Sequence, residues 1–534
     1  MDFDVDLLLR DPAETRAKLL ELARLVAEQS ADLDALRGQY AHAAAEIEKY
    51  RFLIKQFQRA QFGARSERSD PEQFQLGLED LEQSLGAAEA VAGGVSTRTQ
   101  PSRPPKRNRG ALPAHLPRIE VVVDIADKSC PCCGGDLHII GEDRAEQLDV
   151  VPAQFRVKVI RRPRYGCRTC TTGVLQAPAP ERPIDGGMAT TVLLAHVLVG
   201  KFADHLPLYR QAQIYARQGV ELDRSTLAHW VGRSCWWLKP LYERLLQTIL
   251  SSPKLFADDT PLPVLDPGRG RTKTGRLWAY AVDDRPWCGP SPPAIAYVYE
   301  EDRKGGRPEG HLASFAGVAQ VDAYAGFKRL DGERTGGRIR LALCWAHARR
   351  RFFEIHASDK SPIAAEALAR IGQLYRIEEQ IRGLAAEARA AARGREAAPL
   401  LAAFKSWLEA RLRELPGQSK LAVAIRYVLG HWTGLTVYLT DGRVEIDSNT
   451  VERSIRPIAL GRKNTLFAGS DGGARHWAIA ASLINSAKLS GLDPAAYLAD
   501  VLDQIVCRQV KTSHLDVLLP WNWARDRQTE QVAA

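Results

Sequence analysis

Two aspartates lie where an apolar strand becomes acidic. Asp258 follows residues 255–257, Leu-Phe-Ala, and Asp322 follows residues 318–321, Val-Ala-Gln-Val. Burying an acid in such a place is costly unless the acid is solvated, paired or bound to a metal. Asp259 points to the opposite face of its strand from Asp258, because side chains alternate along a strand. Both positions suit a divalent metal ion, although a single acid more often serves a turn or a helix cap.

A third acid, Glu452, lies in residues 447–454, Asp-Ser-Asn-Thr-Val-Glu-Arg-Ser. This segment predicts the first turns of a helix whose N-cap is Asp447, Ser448 or Asn449. Glu452 would then lie on a helix, outside any sheet. Residue types and spacing alone do not connect it with the two aspartates.

The nine cysteines include two pairs with the spacing of metal ligands. Cys130 and Cys133 form one C-x-x-C pair, and Cys167 and Cys170 form the other. Four thiolates in this arrangement suit a closed, tetrahedral structural Zn²⁺ site. The long spacer predicts a zinc ribbon with an extended hairpin, in which Cys132 is not a ligand. Free or redox-active thiols are the alternative.

Basic residues cluster around the cysteines. Residues 150–180 contain six basic side chains and no acid, and we expect Arg161, Arg162 and Arg164 to contact phosphate. Residues 86–118 are rich in Gly, Pro and Ser and predict a flexible basic linker. Such a linker either follows nucleic-acid phosphates or only tethers the flanking domains.

Near the N-terminus, spacings of four and three residues alternate over about five heptads without proline. The seam is formed by Leu22, Val26, Gln29, Leu33, Leu36, Tyr40, Ala43, Ile47, Tyr50, Ile54 and Phe57. The pattern predicts a coiled coil that self-associates or binds a partner. A long helix folded back on its own chain is the alternative.

Residues 184–252 predict helices. A break at Gly219 between two of them has the outline of a helix-turn-helix, with Arg217 and Arg224 on its basic face. Plain helix packing fits the same pattern.

The segment after Pro253 changes to strands. Strands are predicted at 255–265, 276–282, 294–299, 318–322 and 339–344. Three consecutive strands followed by alternating helices and strands predict a mixed sheet covered by helices. Residues 362–415 predict a helical insertion before the helix of Glu452.

Length and composition narrow the class of protein. A chain of 534 residues, with 45% hydrophobic and 26% charged residues, is typical of three or four globular units. Its N-terminus lacks the pattern of a signal peptide, and its best apolar run, 188–200, is too short to span a membrane. We expect a cytoplasmic protein without membrane contact, associated with the nucleoid when bound to DNA.

Four segments together resemble one protein family. They are residues 256–261 (Phe-Ala-Asp-Asp-Thr-Pro), 321–324 (Val-Asp-Ala-Tyr), 344–350 (Cys-Trp-Ala-His-Ala-Arg-Arg) and 447–464, which begins Asp-Ser-Asn-Thr-Val-Glu-Arg-Ser. They resemble the catalytic subunit of insertion sequence 66 family transposases. The resemblance covers nearly the whole chain, including residues 62–67, 205–210 and 518–523.

The resemblance implies a DNA transposase that cuts the ends of its element and joins them to target DNA. Its carboxylate triad would be Asp258, Asp322 and Glu452, which hold Mg²⁺ or Mn²⁺ in a ribonuclease-H-like domain. Asp259 departs from the family, which usually has Glu at this position. The departure leaves open which of the two neighbouring acids is the ligand.

The expected fold is multidomain α/β. Its parts are an N-terminal coiled coil (1–85), the basic linker (86–118), a zinc ribbon-like module (119–183), a helical, helix-turn-helix-like domain (184–252), the ribonuclease-H-like catalytic domain (253–492, with a helical insertion at about 358–440) and a C-terminal helical tail (493–534).

Basic residues near the triad are expected to bind DNA phosphates. They are His347, Arg349, Arg350, Arg453, Arg456, Arg462 and Lys463. For the first three, a solvated helix start is the alternative. Trp345 or Trp477 could stack on an unpaired base.

The expected partners are the terminal inverted repeats of the element, target DNA and further copies of the chain, with accessory proteins of the same element as additional candidates. Two rival interpretations are a catalytically silent DNA-binding regulator and a ribonuclease-H-like nuclease without strand transfer.

Overall fold

The computed structural model describes residues 116–151, 154–168, 173–266, 271–331 and 336–533, with Leu112 and scattered positions between 20 and 47. The described positions between 20 and 47 are helical, as predicted. Among them the seam residues Val26 and Leu33 are 63% and 54% exposed. The seam residues Gln29 and Ile47 are exposed and half-buried, while Ala43 is 6% exposed. The remaining seam residues and most of the basic linker lie outside the described residues, so self-association and the linker stay predictions.

The first sheet is built around a long antiparallel hairpin. Its strands are β1 (Arg118–Val122), β2 (Leu137–Val151), β3 (Gln154–Cys167) and β4 (Val174–Gln176). β2 and β3 pair from Leu137↔Cys167 to Val151↔Gln154, while β1 runs parallel to β3. One end of the hairpin therefore carries cysteines, and its other end enters the main hydrophobic core. This matches the predicted extended hairpin.

Three helices follow: α1 (Thr191–Phe202), α2 (Leu208–Ala216) and α3 (Arg224–Leu250). Gly219 lies between α2 and α3 with a φ of +75°, a left-handed conformation that glycine adopts without steric cost. α3 is longer than the sequence suggests, because its buried face continues beyond Trp237 through Leu241, Leu245 and Ile249.

The second sheet has the strand order β7-β6-β5-β8-β9. Its strands are β5 (Lys254–Asp266), β6 (Arg271–Val282), β7 (Ala294–Glu300), β8 (Gly317–Val321) and β9 (Ile339–Leu343), with α4 (Gly306–His311) before β8. β5, β6 and β7 are antiparallel, whereas β8 and β9 run parallel to β5. The predicted mixed sheet is confirmed.

The remaining helices cover this sheet and form the insertion. They are α5 (Trp345–Asp359), α6 (Pro362–Ile381), α7 (Ala386–Glu414), α8 (Lys420–Gly430), α9 (Trp432–Leu435), α10 (Asn449–Thr465), α11 (Asp471–Leu489), α12 (Pro494–Val506) and α13 (Pro520–Ala533). α5 packs with α6, α7 and α8 in a second apolar cluster, which also includes Val318 of β8 and Ala342 of β9.

α11 covers the β7 edge of the second sheet. The hydroxyl of Ser486 accepts a hydrogen bond from the Ile295 N–H at 3.0 Å, and that of Ser482 accepts one from the Tyr297 N–H at 2.8 Å. These side chains occupy backbone donors of β7 that would otherwise invite another strand.

One apolar cluster continues from the first sheet through α1 to α3, the second sheet, and α11 to α13. The described chain thus shows no break in its core at residues 183, 252 or 492, and the domain boundaries stay predictions. Among the described helices, none is long and apolar enough to cross a membrane.

Candidate active site and metal centres

Asp258 and Asp322 lie at the same edge of the second sheet. β5 and β8 pair in parallel with Ala257 opposite Val321, and the two aspartates are the next residues. Neighbouring strands are about 4.8 Å apart, so two such carboxylates can reach a shared ion. Burial, followed by the charge of Asp322, raises the pKa of Asp258 to about 7. Burial also raises the pKa of Asp322.

Glu452 approaches this pair from the first turn of α10. Its charge contributes to the raised pKa of Asp258, so the three carboxylates share one electrostatic environment. The Oε1 atom of Glu452 is buried and accepts no hydrogen bond from the described residues. An unpartnered buried oxygen is costly, and a cation would satisfy it.

Asp259 is held on the other face of β5. Its carboxylate accepts hydrogen bonds from Arg276 at 2.9 Å and from Arg303 at 2.9 and 2.8 Å, and its side chain is fully buried. Arg303 also lies 3.8 Å from the ring centroid of Tyr324, whose N–H donates to Asp322 at 3.0 Å. Asp259 therefore links β5 to the turn that carries Asp322.

The two other acids before α10 already have partners. Glu445 accepts a hydrogen bond from Arg389 at 2.8 Å, and Asp447 accepts two from Asn449, at 3.1 Å from its N–H and at 2.7 Å from its side-chain amide. The N-cap position itself is Ser448, without a side-chain capping bond. These contacts leave Glu452 as the available acid of the segment.

Gln320 fixes the segment before α10 and was missed by sequence reasoning. Its amide donates to the carbonyl oxygens of Glu445 and Asp447 at 2.7 and 2.9 Å and accepts from the Glu445 N–H at 3.2 Å. Gln320 is fully buried in β8, two residues before Asp322. A polar residue inside an apolar strand was the available signal.

The helical insertion holds the same segment through a buried ionic network. Arg389 and Arg393 of α7 are 1% and 0% exposed and both pair with Glu378 of α6. Arg389 pairs in addition with Glu445 at 2.8 Å. The insertion is thus connected to the backbone that positions α10.

The N-terminus of α5 meets the N-terminus of α10. The sulfur of Cys344, the N-cap of α5, accepts a hydrogen bond from the Ser448 N–H at 3.3 Å. Ligand atoms of Cys344, His347 and Glu452 all lie within 4.8 Å of one another. The Cys-x-x-His spacing of Cys344 and His347 is the sequence signal for this cluster, and it lies within a segment for which only phosphate contact was predicted.

The cysteine module, residues 119–183, brings three thiols together. Sulfur atoms of Cys130, Cys132 and Cys133 lie within 4.8 Å of one another, and Cys133 lies 3.5 Å from Cys167. Cys170 lies outside the described residues. The cluster fits a soft ion, and because Cys132 also belongs to it, its exclusion as a ligand stays a prediction.

Residues 186–476 match the family model described as "Transposase IS66 family". The chain belongs to this family. Residues 127–171 match its zinc-finger binding domain, 482–521 its C-terminal element, and 49–121 a model described as "Transposase C of IS166 homeodomain". The zinc-finger match and the thiol cluster together indicate structural zinc.

Three similar proteins come from Sinorhizobium fredii, and each is described as uncharacterized. Protein y4jD is 50% identical over 93% of this chain and 97% of the relative. Protein y4qI is 41% identical over 96% of this chain and 97% of the relative. Protein y4hP is 38% identical over 88% of each.

Three predicted phosphate ligands of this IS66 family member lie along one side of α10. Arg453, Arg456 and Lys463 are exposed, and their spacing places them on one face of the helix. Arg462 instead is half-buried and donates to the Pro261 carbonyl, so its guanidinium turns toward β5.

The arginine pair of α5 is exposed, but the tryptophans are not available for stacking. Arg349 and Arg350 are exposed in the first turns of α5. They follow His347, whose Nδ1 atom lies 3.8 Å from Oε1 of Glu452. The two tryptophans lie in the core: Trp345 is fully buried and Trp477 is 6% exposed. The prediction that either tryptophan stacks on a base is wrong, because both rings lie in the core.

The arginines of the cysteine module have acidic partners. Arg161 pairs with Glu120 at 3.1 Å and Glu142 at 3.0 Å. Arg162 and Arg164 both pair with Asp143. These acids lie on β1 and β2, so the basic pattern of β3 does not reveal them.

In the helical domain, Arg217 is exposed at the end of α2 and Arg224 is half-buried at the start of α3. Most of α3 lies in the core, where it packs against α11 and β7. A helix-turn-helix contact with DNA therefore depends on the first turn of α3 and stays a prediction.

Proposed function

We propose that the protein is a DNA transposase that binds the ends of an insertion sequence, cleaves them and joins them to target DNA. One observation carries the proposal: the charges of Asp322 and Glu452 both raise the pKa of Asp258, while the nearby acids Asp259 and Glu445 are each paired with arginine. The site thus leaves three carboxylates for metal ions.

The sheet order supports a ribonuclease-H-like catalytic domain. Three antiparallel strands are followed by two strands parallel to the first, with Asp258 on the first strand and Asp322 after the fourth. Glu452 follows on a helix after the fifth strand. The two aspartates therefore come from the centre of the sheet and the glutamate from outside it.

The donor set fits Mg²⁺ or Mn²⁺, because all three groups are carboxylates. Asp258, Asp322 and Glu452 would hold the ions, and the unpartnered Oε1 of Glu452 supports this assignment. When bound, such ions supply the charge stabilisation needed for in-line displacement at a phosphodiester.

The chain's own residues orient the site and the DNA. Gln320 fixes the backbone before α10, and Arg303 with Tyr324 fixes the turn of Asp322. Arg453, Arg456 and Lys463 would bind backbone phosphates beside the carboxylates, with Arg349 and Arg350 on the adjoining helix. Each guanidinium or ammonium adds sequence-independent affinity.

Other parts of the chain would assemble and bind DNA rather than react. Cys130, Cys133, Cys167 and Cys170 would hold one structural Zn²⁺. The N-terminal seam would join copies of the chain, and accessory proteins of the same element remain candidate partners. The element's terminal inverted repeats and target DNA are the proposed substrates.

The test is cleavage and strand transfer on element-end DNA in Mg²⁺. Asp258→Asn, Asp322→Asn and Glu452→Gln should each abolish both reactions while end binding persists, because they remove charge with little change of shape. The exposed Asp359→Asn is the matched control. If Glu452→Gln joined ends while Glu445→Gln did not, the assignment of the third carboxylate would be wrong.

The same assay distinguishes the rival classes. Wild-type protein that binds ends without cutting them would favour a silent DNA-binding regulator. Cutting without joining would favour a nuclease.

A further inference from the structure

A second set of potential metal ligands adjoins the carboxylate triad. Cys344 precedes α5, His347 lies in the first turn of α5, and Glu452 lies in the first turn of α10. One ligand atom from each lies within 4.8 Å of the other two. The set combines a thiol, an imidazole and a carboxylate, unlike the three carboxylates of the triad.

Two of these ligand atoms lack hydrogen-bond partners in the described part of the chain. The Nδ1 atom of His347 and the Oε1 atom of Glu452 are both buried and without a partner. They lie 3.8 Å apart, too far for a hydrogen bond between them. Leaving two polar atoms buried and unpaired is costly, and one cation between them would satisfy both.

Burial raises the pKa of the Cys344 thiol, so a metal ion has to displace its proton, but two features of its surroundings would stabilise the metal-bound sulfur. The Ser448 N–H donates to this sulfur at 3.3 Å. The sulfur also lies at the N-terminus of α5, where the helix dipole stabilises negative charge. Glu452 has the same advantage at the N-terminus of α10.

The ligand types decide which ion fits. Sulfur and imidazole suit Zn²⁺ and related transition metals, whereas Mg²⁺ prefers oxygen. Tetrahedral Zn²⁺ has ligand bonds of about 2.0 to 2.3 Å, so its ligand atoms are roughly 3.3 to 3.8 Å apart. The observed cluster needs shifts of about an ångström to close. Three protein ligands would leave the fourth position open to water.

We infer that Cys344, His347 and Glu452 form a binding site for Zn²⁺ or a similar transition-metal ion, and that occupation of this site withdraws Glu452 from the carboxylate triad. The binding site stands on the geometry alone. Its inhibitory effect rests on the proposed function, because only there does Glu452 serve the Mg²⁺-dependent reaction.

The binding test uses the full-length protein with its cysteine module loaded with zinc, and Co²⁺ as a spectroscopic probe. Wild type should bind one further equivalent of Co²⁺ and show thiolate-to-cobalt charge-transfer absorption, even in excess Mg²⁺. Cys344→Ser should lose this absorption. The exposed Cys288→Ser, whose thiol donates to the Gly383 carbonyl, is the matched control and should keep it.

A second variant guards against misfolding of Cys344→Ser, since Cys344 is buried. Glu452→Gln changes a partly exposed side chain and should weaken Co²⁺ binding by at least about tenfold. If wild type showed no charge-transfer absorption, or if both variants bound Co²⁺ as wild type does, the site would be refuted.

The inhibition test measures Mg²⁺-dependent cleavage with Zn²⁺ added at a small fraction of the Mg²⁺ concentration. Each variant is compared with its own activity without Zn²⁺. Wild type and Cys288→Ser should lose activity, and Cys344→Ser should resist. Equal inhibition of all three would overturn the inhibitory role. Wild type that never cleaves would instead count against the proposed function, while the Co²⁺ result still decides the site.

Discussion

The carboxylate of Asp259 accepts two hydrogen bonds from Arg303, at 2.9 and 2.8 Å. Asp258, the preceding residue, forms no ion pair in the described part of the chain and faces Asp322 instead. Alternation along β5 separates the two acids, so one is neutralised by arginine and the other is available to a cation. Their substitutions should therefore have different consequences.

We predict that Asp259→Asn keeps Mg²⁺-dependent cleavage but lowers the free energy of unfolding by about 2 kcal/mol, because hydrogen bonds to a buried charge are lost. Asp258→Asn should show the reverse pattern, without cleavage and with little loss of stability. Parallel cleavage and urea-unfolding measurements check this. A folded but inactive Asp259→Asn beside an active Asp258→Asn would reverse the assignment.

The cysteine module should contain about one zinc per chain, by the four-ligand rule. Cys167→Ser should lose the metal, because Cys167 lies 3.5 Å from Cys133 at the end of the hairpin. Cys132→Ser should keep it, although Cys132 lies 3.1 Å from Cys130. Metal analysis of the two purified variants decides whether each cysteine is a zinc ligand, with Cys507→Ser as the control. Loss of zinc in Cys132→Ser alone would make Cys132 a ligand.

The N-terminal seam should mediate self-association. Val26 and Leu33 lie seven residues apart and are both more than half exposed, so a partner helix could bury them. Val26→Glu with Leu33→Glu should convert multimers to monomers in sedimentation. Ala27→Glu with Ala31→Glu adds the same charge outside the seam and should leave the assembly intact. Multimers that survive the seam substitutions would exclude this role.

The strands of the second sheet could be predicted because each apolar run ends at a clear turn or acid. Their register could not, since the pairing of Ala257 with Val321 joins residues far apart in sequence. That register brings Asp258 beside Asp322. The family resemblance supplied the connection that residue patterns alone did not.

Side-chain partners were the least predictable part of the site. Gln320, Arg389 and Arg303 contribute polar contacts from three different elements, and none has a local pattern that names its partner. The same limit applies to Arg161. Its availability for phosphate was overestimated, because its partners Glu120 and Glu142 come from neighbouring strands.

The salt dependence of DNA binding should distinguish the two groups of arginines. Arg456 is exposed on α10 and forms no ion pair with the described residues. Arg456→Ala should therefore make the negative slope of log affinity against log salt less steep by about 0.9. Arg161→Ala should lower it less, because this guanidinium already has carboxylate partners. Filter binding at several salt concentrations measures both slopes. A larger change for Arg161 would make the cysteine module the stronger phosphate contact.

The last prediction concerns Lys254 at the start of β5. Its side chain is 1% exposed and donates to the Arg443 carbonyl at 3.0 Å, and burial lowers its pKa to about 8 from 10.5. Between these two pH values the unfolded chain binds more protons than the folded one, so the contribution of Lys254 to stability rises with pH. It is complete above the unfolded pKa and is lost as pH falls through the folded pKa.

Other groups titrate in the same range, so the measured quantity is the difference in unfolding free energy between wild type and Lys254→Met. Between pH 7.5 and 10.5, wild type should gain about 3 kcal/mol of unfolding free energy relative to Lys254→Met, because each unit of difference in pKa corresponds to about 1.4 kcal/mol. The exposed Lys239→Met controls for removal of a positive charge. A difference that stays flat with pH would show that Lys254 keeps its proton when buried, held by the nearby carboxylates of Glu445 and Asp284.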